Sequence, residues 1–342
     1  MTARKRAFGN IKSGLTFAAA VLSWAIVPAA HAETSEIHVS RQYGISYLPL
    51  MIMEDQKLIE KHAKASGIDV KVDWSKFASG AVMNDALLSG NLQFASGGVA
   101  PFTTLWAKTR SNLDVKAVAA INSMPLYLVT NNPKVKTLKD FTDKDKIALP
   151  AVKVSIQAVT LQMAAEKAFG AGQEHKLDQL TVSLSHPDGF AQMMSGKSEI
   201  TAHLTSAPYQ YEELEDKRVH RVLNSYDVLG GPHTFNVVYA SAKLYEGEPK
   251  LVKAFLAALN EAMKEIKADP HAAAELWVKA DKSKLPVAQA EKIIRDPENQ
   301  WTMTPLRTMA FADYMARVQM VPLKPASWKD MFIADVHNLP GS

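Results

Sequence analysis

The sequence predicts an α/β protein made of two similar units, each a mainly parallel sheet flanked by helices. Three observations predict it. Strand-like and helix-like segments alternate through the first two thirds of the chain. One short construction occurs twice, as ALLSGNLQFASGGVAPF over 86–102 and as QMMSGKSEITAHLTSAPY over 192–209. The last third reads almost entirely as helix, with prolines at helix starts, where the missing N–H does no harm.

The elements follow in order. Ile37 and Val39 alternate with polar neighbours over 36–40, as in a strand with one apolar face. A loop over 41–46 leads to a helix over 48–65, which Gly67 ends. A strand over 70–74 is followed by a loop, and a short helix over 82–88 is capped by Ser79. A strand over 92–95, a helix over 103–109 and a strand over 115–121 close the first unit. The second unit repeats this order. An apolar run over 126–130 is followed by strands over 146–149, 180–184, 199–203 and 219–223. Helices over 155–169, 189–194 and 207–215 alternate with them, and a last strand covers 234–240. Helices then read over 249–268, 270–278, 286–294 and 305–318. The first of these carries Leu251, Phe255, Leu259, Ala262, Met263 and Ile266 at helical spacing, a core stripe. The pairs Met51/Met53 and Met193/Met194 read as packing residues.

The first 32 residues read as a secretory signal peptide. Arg4, Lys5, Arg6 and Lys12 form a basic start, an apolar run covers 15–27, and Ala30-His31-Ala32 is a cleavage signal. The run is shorter than the ~20 residues a membrane span needs. A retained anchor is the other reading. The 342-residue chain has 39 Lys and Arg against 35 Asp and Glu, and the leader holds four of the basic residues. The exported chain is therefore close to neutral, which argues against a nucleic-acid partner. The chain has no cysteine, so an exported form rests on its hydrophobic core rather than on disulfides. The same lack removes a lipid-attachment cysteine, thiolate metal ligands and a thiol nucleophile. The spacing of His, Asp and Glu matches no metal motif, and no hydrolase or phosphate-loop signature is present. The expected site therefore has no catalytic residue, metal or cofactor.

In an open parallel sheet, ligands sit beyond the carboxyl ends of the strands. The two copies of the repeat place Gly97-Gly98-Val99 and Thr205-Ser206-Ala207 at such ends, so that two strand-end loops would face one another across a cleft. Glycines at 97 and 98 either let backbone approach a ligand or make a tight turn. Ser79-Gly80 opens a helix, and its amides suit an anion or carbonyl oxygen as well as a plain cap. Gln42, Tyr43 and Tyr47 lie in the first strand-end loop and either line the cleft or pack. In the second unit Ser155, Ile156 and Gln157 open a helix, and Lys153 precedes it. These could hold an anion, with Lys153 otherwise a solvated surface charge. His203 reads as a structural polar residue, and His233 as a residue of a crossing or a ligand donor.

Several stretches together resemble the substrate-binding proteins of bacterial ABC importers of the nitrate, sulfonate and taurine type. They are YGISYLPLMIMEDQKLIEKHAKASGIDVKVDW, ALLSGNLQFASGG, MPLYLVTNNPKVKTLKDFTDKDKIALPAV and ASAKLYEGEPKLVKAFLAALNEAMKEIKADPHAAAEL, in the family's order. The resemblance implies a two-lobed periplasmic binding protein type II fold, its lobes joined by two hinge strands. The first lobe would comprise 33–125 and 233–342, and the second would be inserted at 126–232. It also implies a periplasmic, monomeric protein that holds a small-molecule solute and docks on an inner-membrane permease, with no enzymatic activity. The sequence departs from the family at Ala151-Val152-Lys153-Val154-Ser155 and at Thr205-Ser206-Ala207-Pro208, both beside the expected ligand. The solute expected is a small anion: a sulfonate, taurine, nitrate or a small or aromatic carboxylate. An exported enzyme, a binder of pyrimidine precursors, or a sensor docking on a membrane kinase are the competing readings.

Overall fold

The computed structural model describes residues 35–342. The signal peptide expected at 1–32 lies outside the described residues. Among the described residues no helix is long and apolar enough to cross a membrane.

The chain opens with strand β1 (Glu36–Arg41), then helices α1 (Leu48–Asp55) and α2 (Leu58–Ala65). The single helix expected over 48–65 is thus two, broken where Lys57 takes a left-handed φ of 53°. Strand β2 (Lys71–Lys76), helix α3 (Gly80–Leu88), strand β3 (Ala95–Gly98), helix α4 (Val99–Thr109) and strand β4 (Lys116–Ala120) follow. The expected strand at 92–95 has moved toward the C-terminus, and the Gly97-Gly98-Val99 loop does not exist. Both glycines lie in β3, and Val99 begins α4.

The second lobe begins with β5 (Tyr127–Thr130), β6 (Lys146–Leu149), α5 (Ile156–Phe169), β7 (Thr181–Ser183) and α6 (His186–Ser195). It continues through β8 (Ile200–Thr205), α7 (Tyr209–Glu215), β9 (His220–Asn224) and α8 (Ser225–Leu229). Strand β10 (Asn236–Ala240) returns the chain to the first lobe. Helices α9 (Ala242–Gly247), α10 (Pro249–Ala268), α11 (Pro270–Asp281), α12 (Val287–Arg295), α13 (Thr308–Arg317) and α14 (Trp328–Met331) complete it. The helix expected from 305 starts three residues later, at Thr308.

The two lobes share one topology. In the second the strand order is β7-β6-β8-β5-β9, with β5 antiparallel to both neighbours and β6 parallel to both of its own. In the first, β2 pairs with β1 in parallel, and β10 lies antiparallel between β3 and β4. A parallel bridge from Val39 to Phe94 joins these two pieces in the order β2-β1-β3-β10-β4. Each mainly parallel sheet therefore carries one antiparallel strand, contributed by a segment that crosses between lobes. The crossing segments touch at an antiparallel bridge between Ser123 and Thr234, and Ser123 also exchanges two 2.8 Å backbone bonds with Gln300.

The repeated Ser-Gly has the same task in both lobes. Ser89 and Ser195 each donate a hydroxyl to the carbonyl three residues back, on Ala86 (3.0 Å) and Gln192 (2.7 Å). Gly90 and Gly196 then turn the chain with φ of 79° and 63°. That conformation is cheap only for glycine, and it sends α3 into β3 and α6 toward β8. In the core, Leu251, Phe255, Leu259, Ala262, Met263 and Ile266 of α10 are all buried, and Phe255 stacks on Phe94 with centroids 4.2 Å apart.

Candidate functional site

Between the lobes lies a small cavity of about 30 Å³. Its first-lobe wall includes Gln42, Tyr43, Tyr47, Gly80, Gly98, Pro101, Phe235 and Asn236, and its second-lobe wall includes Ala151, Val154, Ser155, Ile156, Gln157, His186 and Ser206. The site is a place where helices begin. The first turns of α3 and α5, the cap residue of α4 and the first residue of α6 all line it. Helix N-termini carry partial positive charge and unpaired N–H groups. None of the lining residues is Lys, Arg, Asp or Glu.

The lobes meet closely here. Gly98 of β3 lies beneath Ile156 at the start of α5, and Gly44 beneath the Ala207 carbonyl. On the first-lobe wall the Tyr47 hydroxyl donates to Asn236 Oδ1 at 3.0 Å, and burial pushes the phenol well above its ordinary range. Gln42 Nε2 donates to the Ser96 carbonyl at 3.3 Å, and Lys76 sits 4.5 Å over the Tyr43 ring. On the second-lobe wall Ser155 caps α5, its hydroxyl accepting from the Ala158 N–H at 3.1 Å. Two buried polar atoms on the wall have no partner in the protein: Asn236 Nδ2 from the first lobe and Ser206 Oγ from the second. Buried polar groups are normally paired, so an orphaned donor in a cavity wall is a place for a ligand acceptor.

The structure brings together Gln42, Tyr43, Tyr47, Gly80, Gly98, Ser155, Ile156, Gln157 and Ser206 from the residues singled out in the sequence. Gly97 is one step away, beneath Gln42 and the Tyr239 hydroxyl, and Ser79 is the backbone cap of α3 without a side-chain cap bond. Val99 is buried inside the first turn of α4. Thr205 belongs to β8 rather than to a loop, and its hydroxyl lies 3.2 Å from His186 Nδ1. Two of the candidate ligand residues lie away from this cavity and follow their other readings, a surface charge and a residue of a crossing segment. Lys153 has a left-handed φ of 67° and lines an outer surface depression, not the cavity. His233 is fully buried elsewhere, between Tyr226 and Phe311, and bonded to Ser225 Oγ and the Thr234 carbonyl. Burial pushes that imidazole down to about 4.

Sequence reasoning missed His186 and Asn236. His186 had a readable signal: Ser185-His186-Pro187-Asp188 is a capped helix start after a strand, like Ser155. Asn236 had none, because only the pairing of β10 decides which of its residues meets the cleft. Behind His186, His203 and Glu213 are completely buried and lie 2.6 Å apart. Burial pushes both imidazoles down and the Glu213 carboxyl well above the usual carboxylate range.

Several solved structures with the same fold are named as binding proteins. The alkanesulfonate-binding protein SsuA from Xanthomonas axonopodis pv. citri, bound to MOPS, is 18% identical with a TM-score of 0.68, covering 89% of this chain and 98% of that one. The aliphatic sulphonate-binding protein SsuA from Escherichia coli is 19% identical with a TM-score of 0.64, covering 87% and 99%. The nitrate-binding protein NrtA from Synechocystis PCC 6803 is 16% identical with a TM-score of 0.66, covering 87% and 84%. At such identities the likeness establishes the two-lobed fold of periplasmic binding proteins. No curated protein matches the sequence. A family model described as NMT1-like matches residues 30–279, and the chain belongs to that NMT1-like family.

Proposed function

We propose that the protein is the periplasmic solute-binding component of an ABC importer, which closes two lobes on a small anionic solute and presents it to an inner-membrane permease. The observation that carries this is the pair of buried donors without partners, Ser206 Oγ and Asn236 Nδ2, one from each lobe among the residues that line one cavity. Around them the helix starts supply positive potential without a charged side chain, an arrangement suited to an oxyanion. The similar structures are named as sulfonate and nitrate binders, which supports the same solute class. The role is binding and delivery, without chemistry on the solute. In this reading the lobes divide at 126 and 232, and the leader is removed after Ala32.

The test is a thermal-shift screen of the exported chain against nitrate, methanesulfonate, taurine and benzoate. A solute at 100 times its dissociation constant stabilises by about 2.7 kcal/mol. No shift with any of these oxyanions would overturn the anionic-solute reading. Mass spectrometry of the periplasmic fraction should find a chain beginning at Glu33, and a dominant cytoplasmic form beginning at Met1 would count against export.

A further inference from the structure

Four side chains run inward from the cavity wall in a continuous line. Gln157 Nε2 lies 3.2 Å from His186 Nε2, His186 Nδ1 lies 3.1 Å from His203 Nε2, and His203 Nδ1 lies 2.6 Å from Glu213 Oε1. All four are buried, and only Gln157 and His186 reach the cavity. A neutral imidazole has one donor nitrogen and one acceptor, so each contact fixes the next. If Glu213 is ionised it only accepts. His203 then carries its proton on Nδ1, His186 carries its own on Nδ1 and donates to His203, and Gln157 must donate to His186 Nε2. That is the amide orientation seen here, and it leaves the Gln157 oxygen for the cavity.

If Glu213 is protonated, every bond reverses. Glu213 donates to His203 Nδ1, His203 Nε2–H donates to His186 Nδ1, and His186 Nε2–H needs an acceptor. Gln157 supplies one only by turning its amide over, which puts its NH₂ in the cavity. Thr205 Oγ1, 3.2 Å from His186 Nδ1, rotates to serve either state.

We propose that this relay makes Gln157 a reversible reader of the solute, offering the cavity an oxygen when Glu213 is ionised and an N–H when it is protonated, so that capture of an anion takes up one proton. The inference rests on the anionic-solute reading above and adds the proton. Two effects give the sign. The protonated relay is neutral and presents a donor, whereas the ionised relay is negative and presents an acceptor, so an anion selects the protonated form. Glu213 is also poorly served as an anion, because its buried Oε2 has no partner. Burial pushes its carboxyl well above the usual carboxylate range.

The other groups facing the relay are identifiable. Glu212, next to Glu213 on α7, is pushed up to about 7 by burial and then by the charges of Glu213 and Glu215. Tyr209 stacks on His186 at 5.8 Å and feels Asp281 and Tyr43 from the first lobe. On α6 Asp188 is engaged with Ser185 and Phe190 packs on Tyr209. Strands β5 and β6 set Val129 and Ala148 opposite His203.

The test is nitrogen-15 NMR of the imidazoles of the purified protein from about pH 5 to about pH 10, with signals assigned by their loss in His186→Gln and His203→Gln. His186 and His203 should both remain neutral and switch together from the Nε2–H to the Nδ1–H tautomer as pH rises. In Glu213→Gln, whose amide mimics the protonated acid, the switch should vanish, while Glu212→Gln should keep it. A single fixed tautomer across the range in the wild-type protein would overturn the relay, with no variant needed. Calorimetry with methanesulfonate in buffers of differing ionisation heat should then show up to one proton taken up per anion. Above the switch the affinity should fall by about tenfold per pH unit. Methanesulfonate binding without proton exchange would overturn the coupling. If no oxyanion binds, the solute reading fails instead, and the tautomer measurement still decides the relay.

Discussion

Gly98 and Ile156 meet across the cleft with no room for one more carbon: a Cβ on residue 98 would lie 2.7 Å from Ile156 Cγ2 and 2.9 Å from its Cβ. Gly98 has a φ of −61°, which alanine adopts freely, so Gly98→Ala tests this contact and not the backbone. Overpacking costs about 1–3 kcal/mol. Here the cost falls on the closed form, because separating the lobes relieves it. Gly98→Ala should weaken solute binding by about 5- to 150-fold and enlarge the particle in small-angle scattering. Adding Ile156→Ala should recover part of the loss. Wild-type scattering and affinity for Gly98→Ala would show that the two lobes do not press together at this point.

Ser206 should separate stability from binding. Its buried hydroxyl has no protein partner, so the folded protein carries the cost of a desolvated polar group. Ser206→Ala should melt at or slightly above the wild-type temperature and bind the solute more weakly, by about 0.5–1.5 kcal/mol. A lower melting temperature with unchanged affinity would make the hydroxyl structural. Asn236 is a less clean probe, since its Oδ1 also accepts from the buried Tyr47 hydroxyl.

These residues also mark how far the sequence could be read. The Ser-Gly turns were legible because a local hydrogen bond and a positive φ leave a local signature. Ser155 and Gln157 were legible for the same reason, as a capped helix start after a strand. The site's other half depends on pairing. Asn236 reaches the cleft because β10 lies opposite Gly98 of β3, a register set by residues far away in the chain. Lys153 looked like an anion ligand from its position alone, and a left-handed turn at that residue, invisible in the residue type, points the chain elsewhere. His233 matched a crossing segment, but the neighbours that enclose it, Tyr226 and Phe311, come from separate helices.

Asp145 should give the second lobe an acid-sensitive step. Burial pushes its carboxyl up, but bonds from Asn132, the Thr142 N–H, Thr201 and the Thr142 hydroxyl outweigh it and hold the group below its ordinary range. A depressed folded value stabilises above the unfolded value of about 3.9 and is lost as pH falls through the lower folded one. Asp145→Asn should therefore cost about 1–3 kcal/mol at neutral pH, and its melting-temperature gap to wild type should shrink as the pH drops below about 4. A gap constant with pH would show that the ionised form contributes nothing.

Phe255 tests the core far from the cleft. It is fully buried and stacks on Phe94 at 4.2 Å. Phe255→Ala should cost about 3–5 kcal/mol of stability in denaturant unfolding. At temperatures where the variant remains folded its solute affinity should stay at wild type. A loss of affinity matching the loss of stability would place the cleft and this core in one cooperative unit.

The crossing strands impose an order on assembly. All five strands of the second sheet lie within 127–224, whereas the first sheet lacks the strand between β3 and β4 until residues 236–240 exist. A chain emerging from its N-terminus would thus complete the second sheet while β3 and β4 still face each other across a gap one strand wide, each with a bare edge. Such edges invite pairing with other chains. Hydrogen exchange on a chain stopped at residue 230 should protect the amides of β5, β6, β8 and β9 and leave β3 and β4 open. The strand that ends this exposure, β10, begins with Asn236, so the residue that completes the first lobe's sheet also finishes the wall of the cleft.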